Sequence, residues 1–146
     1  MTTFSAPPRI NHVAMSLPPD ALDDAGRKAI VDFHADVFGF NEYEMMTEDR
    51  RLLVLGFHSH EQFLFLIAED EPMRAPRLDH WGFSVSTKAD FDGVAERCAA
   101  WRDRLPHEVD FIEPTVEEHA GVVRIHSLYV RHRLPMMAEC QYWEWL

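Results

Sequence analysis

The chain contains little cysteine, little lysine and no long apolar run. Its two cysteines, Cys98 and Cys140, are too few for a disulfide framework or a zinc knuckle, and their apolar surroundings indicate reduced core residues. The 25 acidic residues outnumber the 14 basic ones, and the resulting net charge of −11 opposes binding to the phosphates of nucleic acid. No stretch of about 18 apolar residues is present, so we expect no membrane span.

The beginning of the chain and its size place further bounds. Residues 1–8 have neither a basic start nor an apolar stretch, so we expect no secretion signal and a cytoplasmic location. The 146 residues favour a single domain, 1–146, and the 47% hydrophobic content is enough for a substantial core.

Two phrases 68 residues apart have the same pattern, His12-Val-Ala-Met-Ser-Leu and His80-Trp-Gly-Phe-Ser-Val. In both, apolar residues alternate with a histidine and small residues, which is typical of a strand with two unlike faces. Because small residues beside a histidine leave room for a ligand, the pattern indicates a duplicated chain with a polar site between the copies.

Each copy reads as βαβββ. The first module, about 9–70, is predicted to contain a strand at 10–17, a helix at 24–38 and strands at 42–46, 51–57 and 62–68. The second module, about 78–146, is predicted to contain a strand at 80–85, a helix at 90–102 and strands at 109–112, 122–130 and 136–143. A charged linker with two prolines, 69–77, joins them. The fold class is α+β, and two modules this small are expected to share one core.

The segment Phe33-His-Ala-Asp-Val-Phe-Gly-Phe40, at the end of the first helix, resembles the helix end of the vicinal oxygen chelate superfamily. That superfamily includes glyoxalase I, bleomycin-resistance proteins and type I extradiol dioxygenases. The resemblance extends from Ile10 to Trp145. It implies that the paired βαβββ modules form a cupped, half-barrel-like mixed sheet around a divalent metal.

The resemblance also implies the metal ligands, which come from the first strand of each module and the last strand of the second. Those places hold His12, His80 and Glu139. The fourth ligand typical of glyoxalase I is missing, since residues 63–67 offer none. Two histidines and one carboxylate are the donor set of non-haem Fe(II) oxygenases, so Fe(II) is the expected metal, with Mn, Zn, Ni or Co as alternatives.

Ser127-Leu-Tyr129, ten residues before Glu139, resembles the extradiol dioxygenase segment that precedes the metal glutamate. The resemblance implies that Tyr129 lines the pocket, that His119 serves acid–base chemistry and that His60 is a second pocket histidine. His126 has the opposite strand parity and is disfavoured as the catalyst, although the choice among the three histidines stays open.

Two arginines, Arg131 and Arg133, share the parity of Tyr129 and are candidates for holding a substrate carboxylate at the rim. A solvated rim is the alternative for both.

The resemblance therefore implies an extradiol ring-cleaving dioxygenase that acts on a catechol-type aromatic with Fe(II) and O2, as in aromatic catabolism. Two alternatives remain: another metal-dependent, glyoxalase-like lyase or isomerase, and a metal-free protein of the drug-binding type. The oligomeric state stays open, although the resemblance implies a homodimer as the common arrangement in the superfamily.

Overall fold

Two four-stranded mixed sheets, each backed by one helix, form the protein in a computed structural model that describes residues 6–47 and 49–146. The elements are β1 (His12–Leu17), α1 (Asp24–Phe38), β2 (Asn41–Glu42), β3 (Leu52–Gly56), β4 (Phe63–Ala68), β5 (His80–Ser84), α2 (Lys88–Arg104), β6 (Val109–His119), β7 (Val123–His132) and β8 (Met137–Trp145). Within these ranges, no helix combines the length and the apolar character needed to span a membrane.

The two modules repeat one topology. Sheet 1 has the strand order β1-β4-β3-β2 and sheet 2 the order β5-β8-β7-β6, so the first and last strands of each module pair in parallel. In sheet 2 Gly82 pairs with Glu139, and in sheet 1 the equivalent pair is Ala14 and Phe65. The predicted α+β fold of two βαβββ modules is confirmed, and the two sheets are not closed into one.

Local sequence signals determine where the helices begin and end. The side chain of Asp23 accepts a hydrogen bond of 2.7 Å from the backbone N–H of Gly26 and caps α1. Gly39 ends α1 with a φ of 74°, a left-handed conformation that costs glycine nothing. Thr87 caps α2 by accepting from the N–H of Asp90 at 3.1 Å.

One hydrophobic core spans both modules, and the two helices meet in it. Phe33 of α1 packs edge-to-face on Trp101 of α2, with ring centroids 5.3 Å apart. The Trp101 indole donates to Asp36 at 2.7 Å, and the Arg97 guanidinium donates to the carbonyl of Val37 at 3.2 Å. These contacts hold the first module against the second.

Two predicted strands differ from the structure. The strand expected at 42–46 ends at Glu42, and Glu44–Met46 form a short 3-10 helix instead. The strand expected at 109–112 continues to His119. Its register shifts between Ile112 and Thr115, an irregularity that accommodates Pro114 in an edge strand.

Candidate functional site

A polar cluster lies on the face of sheet 2 that is turned away from α2, which we call the open face. Since side chains alternate along a strand, the residues on the other face, such as Leu128 and Cys140, join the core. The cluster on the open face consists of His80 from β5, Tyr129 from β7, and Glu139 and Gln141 from β8.

Glu139 is the centre of the cluster and is only 8% exposed. Its Oε1 accepts hydrogen bonds from the Tyr129 hydroxyl at 2.7 Å and from the Gln141 amide at 2.9 Å. Its Oε2 lies 3.3 Å from Nε2 of His80. Because a buried carboxylate is costly without a compensating charge, the Oε2 side of Glu139 calls for a proton on His80 or for a cation.

The other nitrogen of His80 determines how this ring can act. Nδ1 lies 2.8 Å from the carbonyl oxygen of Leu78, which only accepts, so Nδ1 carries a hydrogen. Nε2 then presents either its lone pair or a second proton to Glu139. A histidine that donates from one nitrogen to a backbone carbonyl while the other is free is oriented as metal-binding histidines are.

The space and spacing at Oε2 suit a divalent cation. Two protein ligands that are each about 2.0–2.2 Å from one ion lie about 3.0–3.5 Å apart, and the 3.3 Å between Nε2 and Oε2 falls in that range. Gly82 lies opposite Glu139 in the register, and a Cβ added there would sit 3.4 Å from Oε2. The nitrogen and oxygen donors present therefore fit a borderline divalent metal.

His12, the third predicted ligand, is not part of this cluster. It lies on β1 of sheet 1, where its ring stacks on Phe63 with centroids 5.2 Å apart and Nδ1 is 2.9 Å from the Asn11 side chain. Residues 6–47 and 49–146 contain no group of three His, Cys, Asp or Glu side chains that could hold one ion. The structure thus brings two of the three predicted ligands together and corrects the expectation that one chain assembles all three.

Tyr129 faces His80 edge-on, with ring centroids 5.2 Å apart. Burial, together with the hydrogen bond to Glu139, raises the pKa of Tyr129 to about 12. The phenol therefore keeps its proton at neutral pH, and Tyr129 serves the cluster as a hydrogen-bond donor rather than as a base.

The structure separates His119 from the cluster. His119 pairs with Val123 at the far end of sheet 2, six residues along β7 from Tyr129, which corresponds to about 20 Å. Its only close charged neighbour among the described residues is Glu117, at 3.8 Å. The expected placement of His119 beside Tyr129 is corrected because β6 extends into a long hairpin.

The two other candidate histidines also lie elsewhere. His60 is exposed in the turn between β3 and β4 of sheet 1, where it lines a surface groove with Tyr43 and Phe57. His126 faces α2, with its ring 5.9 Å from that of Phe91, as its parity predicts. In the part of the chain that the structure describes, neither histidine contacts His80 or Glu139. The expectation that His60 lies in the same pocket as these residues of its own chain is therefore corrected.

The two arginines proposed to bind substrate have acidic partners already. Arg131 donates to Asp110 at 3.1 Å, and Arg133 donates to Glu108 at 2.8 Å. Asp110 also accepts from Arg77, whose hydrogen bonds lower the pKa of the Asp110 carboxyl below its usual value. Since Asp110 of β6 and Glu108 just before it already pair with these arginines, the expectation that Arg131 and Arg133 await a substrate carboxylate is corrected.

The sequence analysis missed Gln141, although a signal for it exists. Glu139, Gln141 and Trp143 alternate on β8, so period-two spacing predicts that all three share one face. The amide had no charge to draw attention to it, whereas the structure shows it bonded to the carboxylate of the cluster.

Solved structures with the same fold are known, whereas no protein-family model and no curated protein sequence matches the chain. An integron cassette protein from the mobile metagenome of the Halifax Harbour sewage outfall aligns with a TM-score of 0.60 and 16% identity, over 91% of this chain and 97% of that one. Lactoylglutathione lyase from Agrobacterium tumefaciens aligns with a TM-score of 0.57 and 19% identity, over 92% and 93%. A glyoxalase/bleomycin resistance protein/dioxygenase from Alicyclobacillus acidocaldarius aligns with a TM-score of 0.59 and 16% identity, over 96% and 95%.

These similarities establish the fold of the chain. Among its structural neighbours are a lactoylglutathione lyase and glyoxalase/bleomycin resistance proteins, so the chain has the fold of those proteins. At identities below 20%, the activity of any neighbour stays a property of that neighbour.

Proposed function

We propose that the protein is a metal-dependent enzyme that acts on a small molecule through two adjacent oxygen atoms, with an extradiol ring-cleaving dioxygenase as its specific form. The arrangement of His80 and Glu139 carries the proposal. A nitrogen with a fixed lone-pair direction faces a buried carboxylate oxygen at 3.3 Å, beside the space left by Gly82. The fold of the structural neighbours is compatible with this chemistry.

A bound divalent cation would supply Lewis-acid polarisation of substrate oxygens and, if ferrous, would relay electrons from the catechol, which is oxidised, to O2. His80 Nε2 and Glu139 Oε2 are the atoms that would hold it. The Tyr129 hydroxyl donates a hydrogen bond to Glu139, so the phenolic oxygen can accept a hydrogen bond from a substrate hydroxyl. Tyr129 thereby orients the substrate, a role that needs no change in its protonation.

We further propose that a second copy of the chain supplies His12, so that the complete set of ligands forms in a homodimer. His12 is exposed on β1, and the face of sheet 1 beside it carries the half-buried Phe63 and Phe65. The open face of sheet 2 carries Trp143 and Trp145, which are 42% and 69% exposed. Large apolar side chains exposed beside a polar cluster are typical of a surface that another chain covers.

Mixing two inactive variants tests the dimeric site. His12→Ala and His80→Ala are each expected to bind no metal tightly alone. If each site takes His12 from one copy and His80 from the other, one of the two sites in a heterodimer of the two variants keeps both histidines. About half of the dimers in an equimolar, randomly exchanged mixture are such heterodimers, so about a quarter of the wild-type metal sites are regained. Recovery of none, with heterodimers demonstrated by native mass spectrometry, contradicts a shared site.

The specific activity is tested by loading the protein anaerobically with Fe(II) and adding a panel of catechols with O2. We expect yellow ring-opened products from the wild type and none from Glu139→Gln. Glu96→Gln, an equivalent change at an exposed position on α2, is the matched control and is expected to behave like the wild type. Fully iron-loaded protein that opens no catechol contradicts the dioxygenase proposal.

One observation favours a second candidate, a metal-free binding protein. The described residues of a single chain offer no three-ligand group, and His80 with a second proton satisfies Glu139 as an ion pair.

Metal analysis of protein purified without added metal separates the candidates. A metal content near zero that stays there after incubation with Fe(II), Mn(II), Zn(II), Ni(II) and Co(II), together with tight binding of an aromatic ligand, favours the binding protein. Retention of Ni, Co, Zn or Mn with oxygen-independent turnover favours a lyase or isomerase.

A further inference from the structure

Gln141 and Trp143 form a hydrogen-bonded chain that ends on the carboxylate of Glu139. The Trp143 indole N–H donates to Oε1 of Gln141 at 2.8 Å. The Gln141 amide nitrogen donates to Oε1 of Glu139 at 2.9 Å and lies 3.4 Å from the Ser127 hydroxyl. All three residues alternate along the open face of β8.

The indole fixes the orientation of the Gln141 amide. An indole nitrogen can only donate, so the amide oxygen of Gln141 must face Trp143 and its NH2 group must face Glu139. The carboxylate of Glu139, which only accepts, already favours the NH2 group, and the indole reinforces this orientation by donating to the amide oxygen. The exposed Trp143 therefore acts on Glu139 through Gln141.

From these contacts we infer that Gln141, held by Trp143, is a positioning residue that holds the carboxylate of Glu139 with one oxygen turned toward His80. Two donors, Tyr129 and Gln141, occupy Oε1. Oε2 is left for Nε2 of His80 and for a metal ion. The expected effect on metal affinity rests on the proposed function, whereas the hydrogen-bonded chain itself needs no metal.

The consequence for metal binding is measured by titration with Co(II), whose visible spectrum reports the ligands. Gln141→Leu, of similar size but without hydrogen bonds, is expected to weaken Co(II) binding 10- to 100-fold, as is usual when a partner of a metal ligand is removed. Trp143→Phe keeps the ring and removes the donor, and a weakening of about 3- to 10-fold is expected, because the Gln141 amide is then only partly oriented. The control is Glu96→Gln, at an exposed position on α2 away from the open face, and no change is expected.

Combining the two substitutions separates positioning from a general structural effect. If Trp143 acts only through Gln141, the double variant binds Co(II) no more weakly than Gln141→Leu alone. Additive losses, or wild-type affinity in either single variant, overturn the inference. Thermal unfolding of every variant accompanies the titrations, and a weakened affinity supports the inference only in a variant that unfolds within about 3 °C of the wild type, a change of about 1 kcal/mol.

A metal-free readout distinguishes the inference from the proposed function. In metal-free protein, Trp143→Phe is expected to shift the side-chain amide resonances of Gln141, and Glu96→Gln to leave them in place. Unchanged Gln141 resonances in Trp143→Phe overturn the hydrogen-bonded chain whatever the metal does. If the Gln141 resonances shift as expected but the protein binds no Co(II), the positioning of Glu139 is supported. Only the metal-dependent function is then rejected.

Discussion

Glu139 illustrates how single residues determine what this protein can do. It lies in the buried part of β8, residues 137–140, and its carboxylate is satisfied on one oxygen by Tyr129 and Gln141. The second oxygen faces only His80 among the described side chains that could neutralise it. The pair of His80 and Glu139 is therefore stabilised either by a second proton on His80 or by a bound cation.

Gly82 provides a test at the position opposite Glu139. A Cβ there meets Oε2 at 3.4 Å, an ordinary contact, whereas the additional methyl groups of valine enter the space beside Oε2. We expect Gly82→Val to weaken metal binding at least about tenfold, the size of effect known for disturbed metal ligands, and Gly82→Ala to bind nearly as well as the wild type. Isothermal titration with Mn(II) or Co(II) checks this, and equal affinities in both variants place the metal elsewhere.

Tyr129→Phe removes the hydroxyl that contacts Glu139 and that we assign to substrate orientation. Because Gln141 still donates to the same oxygen, the variant is expected to retain its metal content. Turnover is expected to fall about tenfold, the size expected for the loss of one hydrogen bond to the substrate, about 1.4 kcal/mol. The measurements are metal analysis and the rate of ring opening; loss of the metal with unchanged turnover per metal ion assigns Tyr129 to metal retention instead.

At the scale of elements, β6 shows why the site could be predicted only in part. Its polar residues 113–119 contain Pro114 and three glutamates and do not alternate, so the sequence offered no strand signal there. The strand exists because β7 pairs with it, and this long-range pairing moves His119 to the end of the hairpin. Asp110 and Glu108, the acids that pair with Arg131 and Arg133, were missed because these pairs depend on how β6 aligns with β7.

Elements with local signals were predicted closely. The bounds of α1 agree with the prediction, since Asp23 caps its start and Gly39 ends it. The repeated phrases at His12 and His80 predicted β1 and β5 and their common face. The contact between His80 and the Leu78 carbonyl could not be predicted, because it depends on the direction of a backbone group just before the strand.

Gly39 carries a prediction about the end of α1. With φ at 74°, alanine at this position is strained by about 1–2 kcal/mol, although no atom lies near an added Cβ. We expect Gly39→Ala to lower the Tm by about 3–6 °C, while Gly39→Asn, which tolerates the left-handed region, loses less. Thermal unfolding followed by circular dichroism measures both, and equal Tm values for Gly39→Ala and wild type contradict the conformational explanation.

At the scale of the whole molecule, two histidines lie in the core that joins the modules. Nδ1 of His34 donates to the carbonyl of Ile30 at 2.7 Å, and burial lowers the pKa of His34 to about 4. His132 packs against Phe33 and Trp101 and has no geometrically acceptable hydrogen-bond partner among the described residues. Burial lowers the pKa of His132 as well.

These lowered pKa values determine the response to acid. Above pH 6.5 His34 is neutral in the folded and unfolded states and contributes nothing to pH dependence. Between pH 6.5 and 4 the unfolded chain binds a proton that the folded chain does not, so stability falls by up to roughly 3 kcal/mol. We expect His34→Asn to reduce the loss of unfolding free energy between pH 7 and pH 4.5 by roughly 2–3 kcal/mol, as measured with urea.

The exposed His107→Asn is the control for this series and should show the wild-type pH dependence. A His34→Asn variant whose stability falls with acid as steeply as that of the wild type contradicts the assignment of the effect to this buried ring.

The central claim of this account is that His80 and Glu139 bind one metal ion together. Anomalous diffraction at the cobalt absorption edge, from crystals of Co(II)-loaded protein, tests it directly. The account predicts a peak about 2.0–2.2 Å from both His80 Nε2 and Glu139 Oε2, with an imidazole of His12 from a second copy beside it. Saturating Co(II) that leaves these two atoms in direct contact, with no anomalous peak between them, contradicts it.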